Sequence, residues 1–196
     1  MIDRLEANRL LAERLTDELV VAGLGNATFD LFHVRDRARN FYGWGAMGIG
    51  ISIGLGLALA RPNDRVLVLE GDGALSMGLT GLITIGRHAP QNLIVIVWDN
   101  QRLGLTGGQE SPTAVRTDLA GVARACGFPQ TCQVQTLDEF GAALDSAYAE
   151  PGPTLIQARV GQQASGHKPP RRPAATTYRF MRAIGTLAPD DQMVWD

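Results

Sequence analysis

The chain has 196 residues and a mass of 21.0 kDa, enough for one domain with a sizeable core and too little for two full catalytic domains. Apolar residues make up 45% and charged residues 19%, an ordinary globular balance, and a net charge of -2 gives no electrostatic case for nucleic acid or an anionic membrane surface as partner. Cys126 and Cys132 form no CxxC pair and have no histidine pair beside them, so buried free thiols in a reducing cytosol are expected.

Residues 3–19 place Leu5, Leu11, Leu15 and Leu19 near one face with charges elsewhere, which predicts an amphipathic helix and not a signal peptide. A short strand over 20–24 ends in the turn Gly25-Asn26, and a helix over 27–34 leads into the polar connection RDRARN. Residues 41–60 run without a charge for the length of a membrane span, but six of them are Gly, and a buried helix over 46–60 is expected instead. In that helix Ala46, Gly50, Gly54 and Ala58 recur every fourth residue, a smooth face that admits a neighbouring backbone. Residues 65–70 and 92–98 are continuous apolar strands of the kind buried on both faces of a parallel sheet, separated by a helix over 74–88. Helices near 117–126 and 138–149 alternate with strands near 131–135 and 154–160. A basic, Pro-rich tail segment at about 161–177 precedes a short helix over 178–184. Alternating strands and helices predict an α/β fold, a doubly wound, mostly parallel sheet with helices on both faces, in a single domain over 1–196.

Gly43, Gly45 and Gly48 have the spacing G-x-G-x-x-G, and Glu70 closes a strand further on. A dinucleotide site requires a strand running straight into the first glycine, whereas VRDRARNFY reads as polar and basic, so that motif is set aside. More informative are Gly71-Asp72-Gly73 and Asp99-Asn100, each at the carboxyl end of an apolar strand, where open α/β sheets bind ligands. A carboxylate and an amide oxygen are hard ligands suited to Mg2+, with phosphates and water completing the octahedron. Gly73 lets phosphates approach the backbone, and the amides that open the following helix face them. Either segment alone reads as a tight turn; together they describe a site for a magnesium diphosphate.

The stretch EGDGALSMGLTGLITIGRHAPQNLIVIVWDNQ resembles the thiamine-diphosphate motif, GDG followed by an Asn-containing dipeptide at a strand end. NFYGWGAMG together with DNQRLGLTGGQ is similar to the cofactor-binding half of the sulfopyruvate and phosphonopyruvate decarboxylases, and the resemblance covers roughly residues 15–185. It implies Asp72, the Asn100 side chain and the Arg102 carbonyl as Mg2+ ligands. It implies Gly25, Asn26, Gly71, Gly73 and Ala74 around the diphosphate, with Leu103 and Thr106 in the cofactor-binding loop. Gly45 would offer its carbonyl to the aminopyrimidine, Met47 would wedge beneath the bent cofactor, and Gln109 with Thr106 would face the reactive end; Gly45, Met47 and Gln109 are thus the candidate catalytic residues.

The resemblance further implies a partner. An activating Glu comes from a pyrimidine-binding domain for which the chain has no room, so a cytoplasmic, hetero-oligomeric, two-component decarboxylase of a small 2-oxo acid is expected, inactive without its second subunit. The smooth face or the FYGWG edge, with Trp44, would meet that subunit. A carboligase similar to acetolactate synthase is the alternative, and a nicotinamide-dependent oxidoreductase a more distant one. Relatives acting on phosphonates or sulfonates often carry Ser-Arg-Glu where this chain has Thr28-Phe29-Asp30, which leaves the 2-oxo acid open. His167, Lys168, Arg171 and Arg172 are read as a solvated or partner-facing cluster in preference to an anion clamp, and His33 and His88 as isolated surface histidines.

Overall fold

The two apolar runs lie in the middle of a parallel sheet. In the computed structural model, which describes residues 1–187, α1 (Arg4–Arg14) precedes β1 (Leu19–Ala22), and α2 (Asn26–Val34) leads to β2 (Asn40–Tyr42). Next come α3 (Gly50–Ala60), β3 (Val66–Gly71), α4 (Asp72–Met77), α5 (Thr80–His88) and β4 (Leu93–Asp99). A small hairpin of β5 (Arg102–Leu103) and β6 (Gln109–Glu110) and a 3-10 turn at Pro112–Ala114 come after it. The chain continues through α6 (Leu119–Ala125), β7 (Gln130–Val134), α7 (Leu137–Ala149), β8 (Thr154–Arg159) and α8 (Pro173–Ala183). Among the described residues the main sheet has the order β2-β1-β3-β4-β8-β7, with every pairing parallel.

Successive strand residues point to opposite faces, so a strand covered on both sides must be apolar throughout. Leu67, Leu69, Ile94 and Ile96 pack with Leu11 of α1, Leu31 of α2 and Phe140 of α7. Val66, Val68, Val95 and Val97 pack on the other face with Ile51 of α3, Leu82 of α5, Leu119 of α6 and Phe180 of α8. Each such side chain contributes about 1.5–3 kcal/mol by leaving water. The doubly wound sheet is therefore the fold the strand pattern predicts. Among the described residues no helix is long and apolar enough to cross a membrane. Cys126 and Cys132 are free, but half-buried where full burial was expected.

Several local expectations change. A strand does run into Gly43: β2 pairs with β1, Val20 opposite Asn40 and Ala22 opposite Tyr42. Its composition hides it because it is a three-residue edge strand, with its Asn40 amide donating to the Arg35 carbonyl and the Tyr42 hydroxyl. The helix expected from residue 46 begins at Gly50, since Gly45 and Gly48 take φ values of +83° and +81° that no right-handed helix allows. The helix expected over 74–88 breaks at Gly78 into α4 and α5. The final helix starts at Pro173, where proline's missing N–H costs nothing in the first turn.

The smooth face is not a subunit boundary. A Cβ on Gly54 would stand 2.1 Å from Val68 and one on Gly50 2.3 Å from the Glu70 carboxylate, so α3 presses onto β3 of its own chain. Ala58 is buried with them, and Ala46 alone of that set is exposed.

Candidate functional site

Strands β1, β3 and β4 end side by side, with Ala22 opposite Leu69 and Gly71 opposite Trp98. The loops that leave these three strand ends therefore converge. One cavity of about 70 Å³ is lined by Gly25 and Asn26 after β1, by Gly71 at the end of β3 with Asp72, Gly73 and Ala74 following it, and by Asn100 after β4. Met47 enters from the loop before α3, and Leu103 and Thr106 close it from the hairpin. Trp98, Leu105 and Arg4 also face it.

Asp72 is 1% exposed. Burial pushes its carboxyl above the usual range, hydrogen bonds from Ser111 and Thr113 draw it back, and the nearby Asp99 charge pushes it up again. Asn100 Oδ1 accepts the Arg102 amide at 3.0 Å, which fixes the turn that brings the Arg102 carbonyl round. A Cβ on Gly73 would stand 3.9 Å from that carbonyl oxygen and only 2.1 Å from Leu103. Gly25, at φ +64°, supports Leu105 in the same way, a Cβ there reaching within 2.8 Å of it. Two glycine platforms thus lie under a loop of leucines, and a side chain on Gly73 would fill the cradle. The donor set, one carboxylate, one amide oxygen and one backbone carbonyl, fits a hard dication such as Mg2+. Among the described residues no three His, Cys, Asp or Glu side chains cluster to hold a metal.

Residues 23–158 match the family model described as thiamine pyrophosphate enzyme, C-terminal TPP binding domain. The chain belongs to this family. It is 40% identical over 183 residues to phosphonopyruvate decarboxylase of Streptomyces viridochromogenes, covering 92% of this chain and 45% of that protein. It is 37% identical over 185 residues to sulfopyruvate decarboxylase subunit beta of Methanocaldococcus jannaschii, covering 92% of this chain and 96% of the subunit. The chain thus spans less than half of the first relative and nearly all of the second. The fold also superposes on the thiamine diphosphate-dependent 4-hydroxybenzoylformate decarboxylase of Rhodococcus jostii RHA1 with a TM-score of 0.69 and 23% identity, over 82% of this chain and 33% of that one.

In this thiamine-diphosphate domain three of the predicted site residues stand outside the cavity lining. Gly45 is exposed, with nothing within 4 Å of where a Cβ would be. The Arg102 side chain points toward Glu110 at 3.7 Å, and its carbonyl oxygen lies 3.9 Å from where a Cβ on Gly73 would stand. Gln109 is exposed and folded onto the loop, its Nε2 donating to the Thr106 carbonyl at 3.0 Å and its Oε1 accepting the Thr106 hydroxyl at 3.2 Å.

The tail also departs from expectation. His33 is not isolated: its ring stacks on His167 with centroids 3.8 Å apart. Lys168 Nζ lies 5.7 Å from the Phe29 ring centroid, and the Ser165 amide donates to Asn26 Oδ1 at 3.2 Å. The first part of the tail therefore folds along α2 beside the cavity, because stacking, cation-π contact and an Asn acceptor line up on one helix face. His88, Arg171 and Arg172 are exposed as expected, and Trp44 is half-buried with its indole N–H lacking a hydrogen bond.

Two neighbours of the site carry no sequence signal. Ser111 and Thr113, beside Asp72, are lone hydroxyls after a loop. Glu70 is 0% exposed in a slot made by two missing side chains: a Cβ on Gly23 or Gly50 would stand 2.2 or 2.3 Å from its oxygens. Burial pushes Glu70 up to about 7, although the nearby Gly71 and Gly50 amides pull the other way; neither of its oxygens has a well-formed hydrogen bond.

Proposed function

We propose that this chain is the cofactor-seating subunit of a two-component, thiamine-diphosphate-dependent decarboxylase of a small 2-oxo acid. The observation that carries the reading is the meeting of Asp72, Gly73 and Asn100, from adjacent strand ends, in one cavity with Gly25, Asn26 and Met47. Asp72, the Asn100 side-chain oxygen and the Arg102 carbonyl hold Mg2+, and Gly25, Asn26, Gly71, Gly73 and Ala74 receive the diphosphate. When bound, thiamine diphosphate supplies the electron sink that lets a 2-oxo acid lose CO2. Met47, Trp98, Leu103 and Leu105 give the cavity an apolar wall that keeps water out and strengthens the charge interactions inside it. Leu103 and Thr106 belong to the loop that closes over the cofactor, and Gln109 lies at the reactive end.

The open position of Gly45 supports a second chain over that edge, where its carbonyl meets the aminopyrimidine and the partner's pyrimidine domain brings the activating Glu. The near-complete coverage of a relative named as a beta subunit supports the same division of labour.

Isothermal titration of thiamine diphosphate with Mg2+ into wild type and Asp72→Ala, with and without a co-purifying subunit, tests the reading. Metal-dependent binding that disappears in Asp72→Ala is expected; binding that survives it overturns the site. Release of CO2 from a 2-oxo acid by the chain alone would overturn the requirement for a partner.

A further inference from the structure

Ser111 and Thr113 support an inference that rests on this reading of the Asp72 site. Both are nearly inaccessible, at 1% and 5% exposure. Ser111 Oγ donates to Asp72 Oδ2, and Thr113 Oγ1 stands 3.0 Å from the same oxygen and 2.9 Å from Ser111 Oγ. Thr113 Oγ1 is also 2.7 Å from Asp99 Oδ1. One hydroxyl thus stands between the carboxylates found at the ends of two adjacent strands, β3 and β4, and its single proton serves one of them at a time.

Asp99 is fixed from its far side. Gln157 Nε2 donates to Asp99 Oδ2 at 2.6 Å and the Arg159 guanidinium pairs with that oxygen at 3.0 Å, while the Gln101 amide donates to Oδ1 at 3.1 Å. With both oxygens engaged, Asp99 is part of the support and Asn100 alone of that dipeptide turns to the cavity. Asp72 is engaged on one side only. Both hydroxyls converge on Oδ2, and among the described residues no side-chain donor reaches Oδ1. A carboxylate turns easily about its last torsion, whose well is broad, so it needs such contacts to keep one oxygen aimed. Hydrogen bonds to an ionised acceptor are about twice as strong as neutral ones. Ser111 donates to Oδ2, and Thr113, packed against the same oxygen and against Ser111, restricts that torsion from a second direction.

We propose that Ser111 and Thr113 are positioning residues of the cation site: they hold Asp72 Oδ2 so that Oδ1 is presented to a divalent cation. They also tie the cation's place to the hairpin, because Ser111 directly follows β6 and its amide donates to the Gln101 carbonyl at 3.1 Å. Outer-layer hydrogen bonds to metal ligands are typically worth about 10–100-fold in metal affinity.

The test is a Mg2+ titration of the full chain, with any co-purifying subunit, at saturating thiamine diphosphate, read by tryptophan fluorescence because Trp98 lines the cavity. Thr113→Val removes the hydroxyl at nearly constant shape, Thr113→Ser keeps it, and urea unfolding without metal monitors the fold separately. Thr113→Val should weaken Mg2+ about tenfold or more while Thr113→Ser stays within about twofold of wild type. Wild-type affinity in Thr113→Val, or equal weakening in the Val and Ser variants, overturns the proposal; the second outcome assigns the effect to packing. If Thr113→Val does not fold, Ser111→Ala takes a donor from the same oxygen and is held to the same criterion. Asp72→Ala separates the failures. A Mg2+ response that survives Asp72→Ala overturns the site itself, whereas one lost there but kept in Thr113→Val overturns only the positioning role.

Discussion

Gly48 and Gly78 meet backbone against backbone: a Cβ on Gly78 would stand 2.1 Å from the Gly48 carbonyl oxygen, and one on Gly48 2.5 Å from the Gly78 amide nitrogen. The contact fastens the loop bearing Met47 to the break between α4 and α5, and so sets where Met47 enters the cavity. No flexible side chain is available to give way. Gly78→Ala should therefore cost about 3 kcal/mol by overpacking. Gly45→Ala, at φ +83° but with nothing within 4 Å, should cost about 1 kcal/mol of backbone strain alone. Equal urea midpoints for the two variants would refute this distinction.

Glu70 should give the fold a pH dependence. Its carboxyl is raised from 4.5 to about 7 in the folded chain, chiefly by burial, so between those values the folded state holds a proton that the unfolded state has lost. Stability contributed by the protonated form is therefore complete below about pH 4.5, falls as pH rises, and is gone above about 7. The difference is about 3 kcal/mol from the size of that shift. Glu70→Gln should flatten the profile over that window in metal-free urea unfolding; an unchanged slope would place the pH dependence elsewhere.

Arg4 and Asp30 form an ion pair with side chains 5% and 4% exposed, and Arg4 also donates to the Gln163 carbonyl at 2.6 Å. Breaking a buried pair leaves an uncompensated charge, at a cost of about 3–5 kcal/mol. Asp30→Ala should lose an amount of that order. Arg4→Met combined with Asp30→Leu should recover most of it, since neither charge is then stranded. A double variant no more stable than Asp30→Ala alone would show that the pair itself is worth more than its desolvation.

Leu105 is 57% exposed yet seated on Gly25 at the cavity mouth. The cavity is about 70 Å³, against roughly 300–1,000 Å³ for small-molecule sites, so a cofactor seated there as proposed would require the leucine loop to swing outward. Leu105→Ala should change stability by less than about 0.5 kcal/mol. It should nevertheless speed association of thiamine diphosphate, as followed by stopped-flow fluorescence. An unchanged association rate would remove Leu105 as an obstacle.

Where burial imposes a pattern, the sequence could be read directly. Residues 65–70 and 92–98 are apolar because both faces of β3 and β4 are covered, and the polar residues that end them, Asp72 and Asn100, stand out for that reason. Short or contingent features left no such trace. β2 is an edge strand with polar members, and the Gly78 break answers to a loop distant in sequence that helical periodicity does not record. Small residues at every fourth position announced a close approach, but not that the neighbour of Gly54 would be Val68 of the same chain. The Glu70 slot is made by side chains that Gly23 and Gly50 lack, and Ser111 and Thr113 acquire a role only when folding brings them to Asp72.

α8 packs against the outermost strand: the Phe180 ring meets Phe41 edge-on at 5.8 Å, and Arg179 grips Asp36 through two hydrogen bonds of 2.7 Å. Among the described residues β2 pairs with β1 alone, which leaves its other side open. Unpaired strand edges beside an exposed aromatic ring act as templates for other chains. Ending the chain before Pro173 should uncover Phe41 beside that open edge, so the last helix shields the aromatic flank of a strand that other chains could extend.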